Sequence, residues 1–368
     1  MKHKNIYNKK NITIIMIILF VASLFITKDY LDKNYLKEFN RKEIIGSNRF
    51  ETMTKISEKG WDKSKEAILV SIHSVIDGIS VVPLAYQMDV PIFFVDKEVV
   101  NIKIKDELKR LGVEKVYLIG EKDLLTDKVV DDLNALNIKN ERIYGKDYFD
   151  TSIKIAEKIN ENSEITEVAL VNMGWGKPDG VVASPMLAKR GIPIIMQNKE
   201  NIDDVVKFIQ DHNISKTYII GSEEIFPKSI DKEIDTDIVR ISGVDRYETN
   251  KKIIKQFYNT KDLKDLNKIY IIRDGIVNYA DFLNGLVLSP VAARENIPIL
   301  YTSDSLRKEE LKFLEQNGIN EIIEVGFNVV RPKIITNKMV EFASSIAIIV
   351  IWILGIKKTM KSEIKGNS

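Results

Sequence analysis

Three stretches of this chain carry the same marks in the same order, and that repetition limits the fold more than any other feature. Asp77, Asp179 and Asp281 stand 102 residues apart. Before them come Ile45-Gly46-Ser47-Asn48-Arg49-Phe50-Glu51-Thr52, Ile143-Tyr144-Gly145-Lys146-Asp147-Tyr148-Phe149-Asp150-Thr151 and Ile241-Ser242-Gly243-Val244-Asp245-Arg246-Tyr247-Glu248-Thr249. After them come Pro91-Ile92-Phe93-Phe94, Pro193-Ile194-Ile195-Met196 and Pro298-Ile299-Leu300-Tyr301. Each unit closes on an apolar run that ends in glycine, at Gly120, Gly221 and Gly326. Self-similarity at a fixed period means one module reused, here of about 100 residues, long enough to bury a core of its own.

The middle unit shows what the module is. Ile153, Ile155, Ala156 and Ile159 recur at helical spacing behind Thr151, and Val168 to Val171 is an apolar run of strand length. Asp179 opens a second helix that Gly191 ends, and Ile192 to Met196 is the next strand, with Pro193 near its start. Asp203 to His212 reads as helix, Lys216 to Ile220 as strand, and Pro227 to Ile234 as a last helix with proline in its first turn. The other units repeat the order with strands at Ala67 to Ser71, Ile92 to Val95 and Val116 to Ile119, then Ile269 to Ile272, Ile299 to Tyr301 and Ile322 to Val325. Nearly all-apolar strands alternating with helices predict a parallel sheet covered on both faces. In the third unit the segment from the Asp to the Pro is 17 residues against 14 in the others, so the alignment is weakest there.

Composition excludes several classes. There is no cysteine, which removes disulfides, thiolate chemistry and zinc–thiolate sites. A charged fraction of 29% beside 44% hydrophobic residues argues for a folded chain. The net charge of +2 is unevenly spread: residues 29–338 hold 46 basic and 51 acidic side chains. Non-specific adhesion to polyanions needs a positive excess, so nucleic acid is not an expected partner and any anion site must be local.

Two apolar runs flank the repeats. Ile12 to Ile26 follows Lys2, Lys4, Lys9 and Lys10 and reads as a secretory signal or an N-terminal anchor; without a small-x-small site before Lys28, an uncleaved anchor is expected. Phe342 to Ile356 precedes Lys357, Lys358, Lys361 and Lys365. Lysines outside both runs would place both termini in the cytoplasm and the repeats on the outer face. A wall-sorting signal would need an LPxTG-like motif, which Val330-Arg331-Pro332-Lys333-Ile334-Ile335-Thr336 does not supply.

A polar residue between a strand and a helix, at the carboxyl edge of a parallel sheet, sits where such folds bind ligands, and Asp77, Asp179 and Asp281 fit that position. Each would equally serve as a helix cap. Arg49 and Arg246 precede helices at matched positions and suit phosphate or carboxylate; pairing with Glu51 or Glu248 is the alternative. The second unit has Tyr148 there. Trp175, in a glycine-rich loop that matches no phosphate motif, either stacks on a sugar or shields the loop. Pro91-Ile92-Phe93, Pro193-Ile194-Ile195 and Pro298-Ile299-Leu300 read as buried strands or as packing between modules. His3, His73 and His212 are isolated, so no metal cluster or catalytic triad recurs, and no cofactor is expected.

These motifs resemble the cell wall binding repeat 2 family of Gram-positive surface proteins. Arg240-Ile241-Ser242-Gly243-Val244-Asp245-Arg246-Tyr247-Glu248-Thr249 carries the family's opening, and Pro83-Leu84-Ala85 and Pro298-Ile299-Leu300 its middle. The departures are Asp-Gly at 77–78 and 179–180 and Asp-Phe at 281–282 where the family has Asp-Ala, and single closing glycines where it has two. The resemblance implies three tandem Rossmann/Toprim-like α/β parallel-sheet modules in a pseudo-threefold arrangement. It also implies non-covalent binding to an anionic secondary wall polysaccharide, as in surface-layer proteins, with Arg49 and Arg246 as ligand residues.

The expected organisation is a basic tail and signal anchor at 1–28, repeats at 41–139, 140–237 and 238–335, a transmembrane helix at 340–356 and a basic tail at 357–368. The expected protein is a non-catalytic, membrane-anchored wall binder on the extracytoplasmic side, with polymer contacts at Arg49, Asp77, Asp179, Arg246 and Asp281. The rivals are an envelope enzyme acting on a glycan or phosphodiester through those aspartates, and a degenerate scaffold for protein partners.

Overall fold

The computed structural model describes residues 39–197, 202–276 and 278–329, which fall in one unit, Phe39–Val329. The first repeat runs β1 (Asn40–Ile44), α1 (Arg49–Gly60), β2 (Glu66–Ser71), α2 (Val75–Met88), β3 (Ile92–Val95), α3 (Ile102–Leu111), β4 (Lys115–Ile119) and α4 (Asp127–Asn134). The second runs β5 (Lys139–Ile143), α5 (Tyr148–Asn160), β6 (Glu167–Asn172), α6 (Lys177–Lys189), β7 (Ile194–Gln197), α7 (Ile202–Asp211), β8 (Lys216–Ile220) and α8 (Ile230–Glu233). The third runs β9 (Asp237–Ile241), α9 (Arg246–Phe257), α10 (Thr260–Leu266), β10 (Lys268–Arg273), α11 (Ala280–Glu295), β11 (Ile299–Thr302), α12 (Lys308–Gln316) and β12 (Glu321–Val325).

These strands build three parallel four-stranded sheets, ordered β3-β2-β4-β5, β7-β6-β8-β9 and β11-β10-β12-β1. The strand that opens each repeat therefore completes the sheet of the repeat before it. The first strand closes the ring: Asn40 to Ile44 pairs in register with Glu321 to Val325, some 280 residues away. The first and last strands of the repeat array, joined in this way, tie the three repeats into one unit.

The centre is built from α2, α6 and α11, which pack pairwise on one another. Each is apolar nearly all round, as a helix buried on every side must be. Close approach is licensed by one glycine per helix. A Cβ on Gly78 would meet Leu286 at 2.8 Å, one on Gly180 would meet Ile79 at 3.0 Å, and one on Gly285 would meet Val181 at 2.8 Å. Each glycine thus receives the residue that follows the glycine of a neighbouring hub helix, a cyclic pattern with threefold regularity. Further down, Ser184 and Ser289 share a buried hydrogen bond of 3.1 Å, and Val82 is buried at the same place in the first repeat.

The far ends of the hub helices repeat the cycle with polar contacts. Gln87 donates to the Ile159 carbonyl at 3.0 Å, Arg190 to that of Phe257 at 2.9 Å, and Arg294 to that of Gly60 at 2.7 Å. These acceptors lie in the last turn of the first helix of the next repeat, where carbonyls lack intrahelical partners. Pro91, Pro193 and Pro298 cannot donate to a ladder, yet their carbonyls accept from Ile68, Ala169 and Tyr270. Ile92, Phe93, Ile194, Ile195, Ile299 and Leu300 are fully buried, and β7, β11 and β3 each pack on the hub helix of another repeat.

The expected fold class needs a correction. Three α/β parallel-sheet modules are present, but the flanking transmembrane helices are not supported. Among the described residues no helix is long and apolar enough to cross a membrane, and the runs 12–26 and 342–356 lie outside the described residues.

Candidate functional site

The opening motif of each repeat is a folding device. Asn48, Asp147 and Asp245 cap the first helices by accepting from the backbone N–H of Glu51, Asp150 and Glu248, at 3.1, 2.8 and 2.7 Å. Gly46, Gly145 and Gly243 donate their N–H to Thr52, Thr151 and Thr249, at 3.0, 2.9 and 2.9 Å, which closes the turn in front of each cap. The residue after the cap differs between repeats: it is Arg49, Tyr148 or Arg246. Tyr148 lies close enough to feel the Asp77 charge as Arg246 does that of Asp179.

At the carboxyl edge of each sheet the hub helices begin. Asp77 is 1% exposed and Asp179 is 8% exposed. Neither caps its helix: Ser74 is the cap of α2, accepting from the Asp77 N–H, and no side chain caps α6. Ser74 donates to Asp77 Oδ2 at 2.7 Å, while Asp77 Oδ1 and Asp179 Oδ1 are buried without a hydrogen-bond partner. Burial pushes the Asp77 carboxyl up to about 6, with Glu121 adding to the rise and the Ser74 hydroxyl opposing it. Burial pushes Asp179 up to about 7, and the Arg246 guanidinium draws it partly back. Tyr301, fully buried with an unpartnered hydroxyl, feels the Asp179 charge and is raised well above its ordinary value.

The third repeat does not follow the 102-residue spacing. Asn284, not Asp281, occupies the place of Asp77 and Asp179. It precedes the hub glycine Gly285 as they precede Gly78 and Gly180, and it is 14 residues from Pro298, matching the other two spacings. It also faces its closing glycine: a Cβ on Gly326 would strike the Asn284 amide, as one on Gly120 would press on the Asp77 carboxylate at 2.9 Å. The three extra residues belong to the loop between β10 and α11. Asp281 is buried one turn earlier, 3.6 Å from the Arg273 guanidinium, which also reaches Asp304 at 3.2 Å. Burial raises its carboxyl, and Arg273 opposes the rise.

The two arginines part company. Arg246 is half-buried and donates to the Asp274 carbonyl at 3.3 Å, with Asp179 within reach of its charge. Arg49 is exposed. Pairing with the nearby acids is not what either does, since Glu51 accepts from Ser47 and Glu248 from Val244 and Lys252. Among the described residues, then, the sheet edges hold Asp77 opposite Tyr148, Asp179 beside Arg246, and Asn284 at the third.

The structure adds a groove the sequence did not announce and a hollow beside Trp175. A groove of about 480 Å³ between α9 and α12 is lined by Lys251, Lys252, Lys255, Arg307 and Lys312 on its basic side, and by Asp245, Glu248 and Glu309 on its acidic side. Its two helices are some 60 residues apart, so no local run announced it. A wider hollow of about 610 Å³ lies beside Trp175, which is 84% exposed, with Asn172, Ser222, Glu224 and Ile225 along it. The Trp175 loop is held by Asn172, which accepts from the N–H groups of Gly174 and Trp175 at 2.9 and 3.1 Å.

Comparison with known proteins agrees with this architecture. The family model described as cell wall binding domain 2 matches residues 43–130, 142–231 and 240–365, well over half of the chain. The chain is 25% identical over 286 residues to N-acetylmuramoyl-L-alanine amidase LytC of Bacillus subtilis (strain 168), a match over 77% of this chain and 55% of that protein. It is 26% identical to the amidase enhancer of the same organism, over 70% of this chain and 34% of the other. Among solved structures, Cwp6 from Clostridium difficile superposes with a TM-score of 0.71 at 27% identity, covering 80% of this chain and 46% of that one. Cwp8 from Clostridium difficile gives 0.71 at 25% identity, covering 83% and 51%. The chain thus spans from a third to just over half of the length of these relatives.

Proposed function

The chain belongs to the cell wall binding domain 2 family, and from that premise we propose that it binds an anionic wall polymer without altering it. The observation that carries the reading is the basic groove between α9 and α12. Lys252 is paired with Glu248, and Arg307 with Glu310 and Asp245 while lying 3.5 Å over the Tyr247 ring. Lys251, Lys255 and Lys312 make no such ion pair among the described contacts. Three ammonium groups along one groove, in a chain whose central part is mildly acidic, support a local anion site there. Exposed Trp175 supplies a flat apolar face of the kind that packs on a sugar ring.

A binding rather than catalytic role is supported by the way the repeats diverge. Asp77, Asp179 and Asn284 share one backbone position but not one chemistry, and Tyr148 beside Asp77 is replaced by Arg246 beside Asp179. Co-sedimentation of the full-length chain with protein-free walls tests the reading. Binding should disappear when the non-peptidoglycan polymer is stripped, and it should weaken about tenfold or more when Lys251, Lys255 and Lys312 are changed together to Glu. Equal binding to stripped walls would refute it.

A further inference from the structure

At the carboxyl edge of the first sheet lies a cavity of about 200 Å³, walled by Asp77, Gly120, Glu121, Asp123, Asp147 and Tyr148. Four of these are carboxylates, and no lysine, arginine or histidine lines it. Clustered acids alone would be an ordinary solvated patch. What sets this cavity apart is its floor, where Asp77 is buried and Oδ1 has no hydrogen-bond partner. A desolvated carboxylate oxygen left unpaired is costly, and in folded proteins such an atom is normally satisfied.

The next repeat differs in charge at this place, although Asp179 Oδ1 is likewise without a hydrogen-bond partner. Beside Asp179 the chain supplies its own cation, Arg246, from the first turn of the first helix of the next repeat. The residue at that position opposite Asp77 is Tyr148, which is raised by burial and by the Asp77 charge and so faces the same space. Gly120, at φ +99°, keeps a side chain out of the cavity beside Asp77 Oδ2. Nothing lining the cavity carries a positive charge to set against an ionised Asp77.

We propose that this cavity binds a primary ammonium group carried on an amino sugar, with Asp77 as its counter-ion. An ammonium offers three donors to a carboxylate already fixed by Ser74, and Glu121, Asp123 and Asp147 add a negative field around it. Among the described residues no group of three or more His, Cys, Asp or Glu is placed to hold a metal ion, which favours a ligand that brings its own hydrogen-bond geometry. The small volume suits one sugar-sized substituent, and the Tyr148 ring gives it an apolar wall. The inference rests on the wall-binding reading for the origin of the sugar. It adds that the polymer carries free amines as well as anionic groups.

Isothermal titration of the full-length chain with the fully de-N-acetylated tetramer of β-1,4-linked glucosamine, against its N-acetylated counterpart, tests the proposal. The amine form should bind at least about tenfold more tightly. Asp77→Asn should remove that preference, and so should Tyr148→Arg, which places in the cavity the cation that Arg246 provides next door. Asp179→Asn should leave it unchanged. Should Asp77→Asn fail to fold, Tyr148→Arg at the less buried wall still decides the matter. Equal affinity for both tetramers, no binding of either, or a preference that survives Tyr148→Arg would overturn the proposal. Walls that sediment with a chain indifferent to the amine would sink this inference alone, whereas amine binding by a chain that ignores walls would sink the wall reading alone.

Discussion

Asp77 and Asp179 begin the same helix in successive repeats, each followed by the glycine that lets the hub helices meet, yet what stands opposite them differs. Across from Asp179 is Arg246, with a buried Tyr301 nearby; across from Asp77 is Tyr148, with three more carboxylates around it. The backbone, the caps and the hub are held in common because each repeat must fit the other two. The side chains at the sheet edges meet no such demand and have diverged. One module therefore supplies the scaffold, and separate edges supply separate chemistry.

The shared half of this comparison should break first at the hub. A Cβ on Gly285 would lie 2.6 Å from Ile272 and 2.8 Å from Val181, so Gly285→Val should cost about 3 kcal/mol or more in denaturant unfolding. Gly180→Ala meets its neighbours at 3.0 Å and should cost nearer to 1 kcal/mol. Equal, negligible losses at both sites would mean that the threefold packing is looser than described.

The divergent half is open to titration. The folded carboxyls of Asp77 and Asp179 lie at about 6 and about 7, above the ordinary 3.8. Each holds its proton more tightly folded than unfolded. The stability they contribute is complete below about pH 4 and is lost as pH rises through 6 and then 7. At pH 8, Asp179→Asn should therefore stabilise the chain by on the order of 3 kcal/mol and Asp77→Asn by about 2 kcal/mol, with little effect from either at pH 4. Destabilisation at pH 8 by both would show that the carboxylates have partners in the folded chain.

A smaller effect separates the two arginines. Arg246→Met removes the cation beside Asp179 and should cost about 1 kcal/mol at pH 8, less as the pH falls and Asp179 takes up a proton. Arg49→Met, at an exposed position, should change stability by less than about 0.5 kcal/mol. Identical losses would mean that the two positions are more alike than their surroundings show.

The sequence made the repeat and its central strands legible, because strands buried on both faces must be apolar and stand out as runs such as Ala67 to Ser71. It hid the strands that close each sheet. Asn40–Ile44, Lys139–Ile143 and Asp237–Ile241 are edge strands that carry charged residues and are only partly buried, and charge at an edge blunts the very pattern that reveals a strand. Asp77 and Asp179 were legible as sheet-edge residues. Asp281 was misaligned because an aspartate happened to fall at the repeat period three residues before Asn284, and the conserved distance to Pro298 was the signal that resolves it. The basic groove and the acidic cavity were illegible, since each joins residues from elements distant in the chain, and Tyr148 opposite Asp77 gains meaning only once β5 is seen to complete the first sheet.

The most direct measurement is titration of the full-length chain with the anionic polymer released from protein-free walls, followed by sizing of that polymer and assay of its reducing ends. The account predicts saturable, salt-sensitive binding with polymer length and end count unchanged. Absence of binding, or shortening of the polymer by the chain, would contradict it.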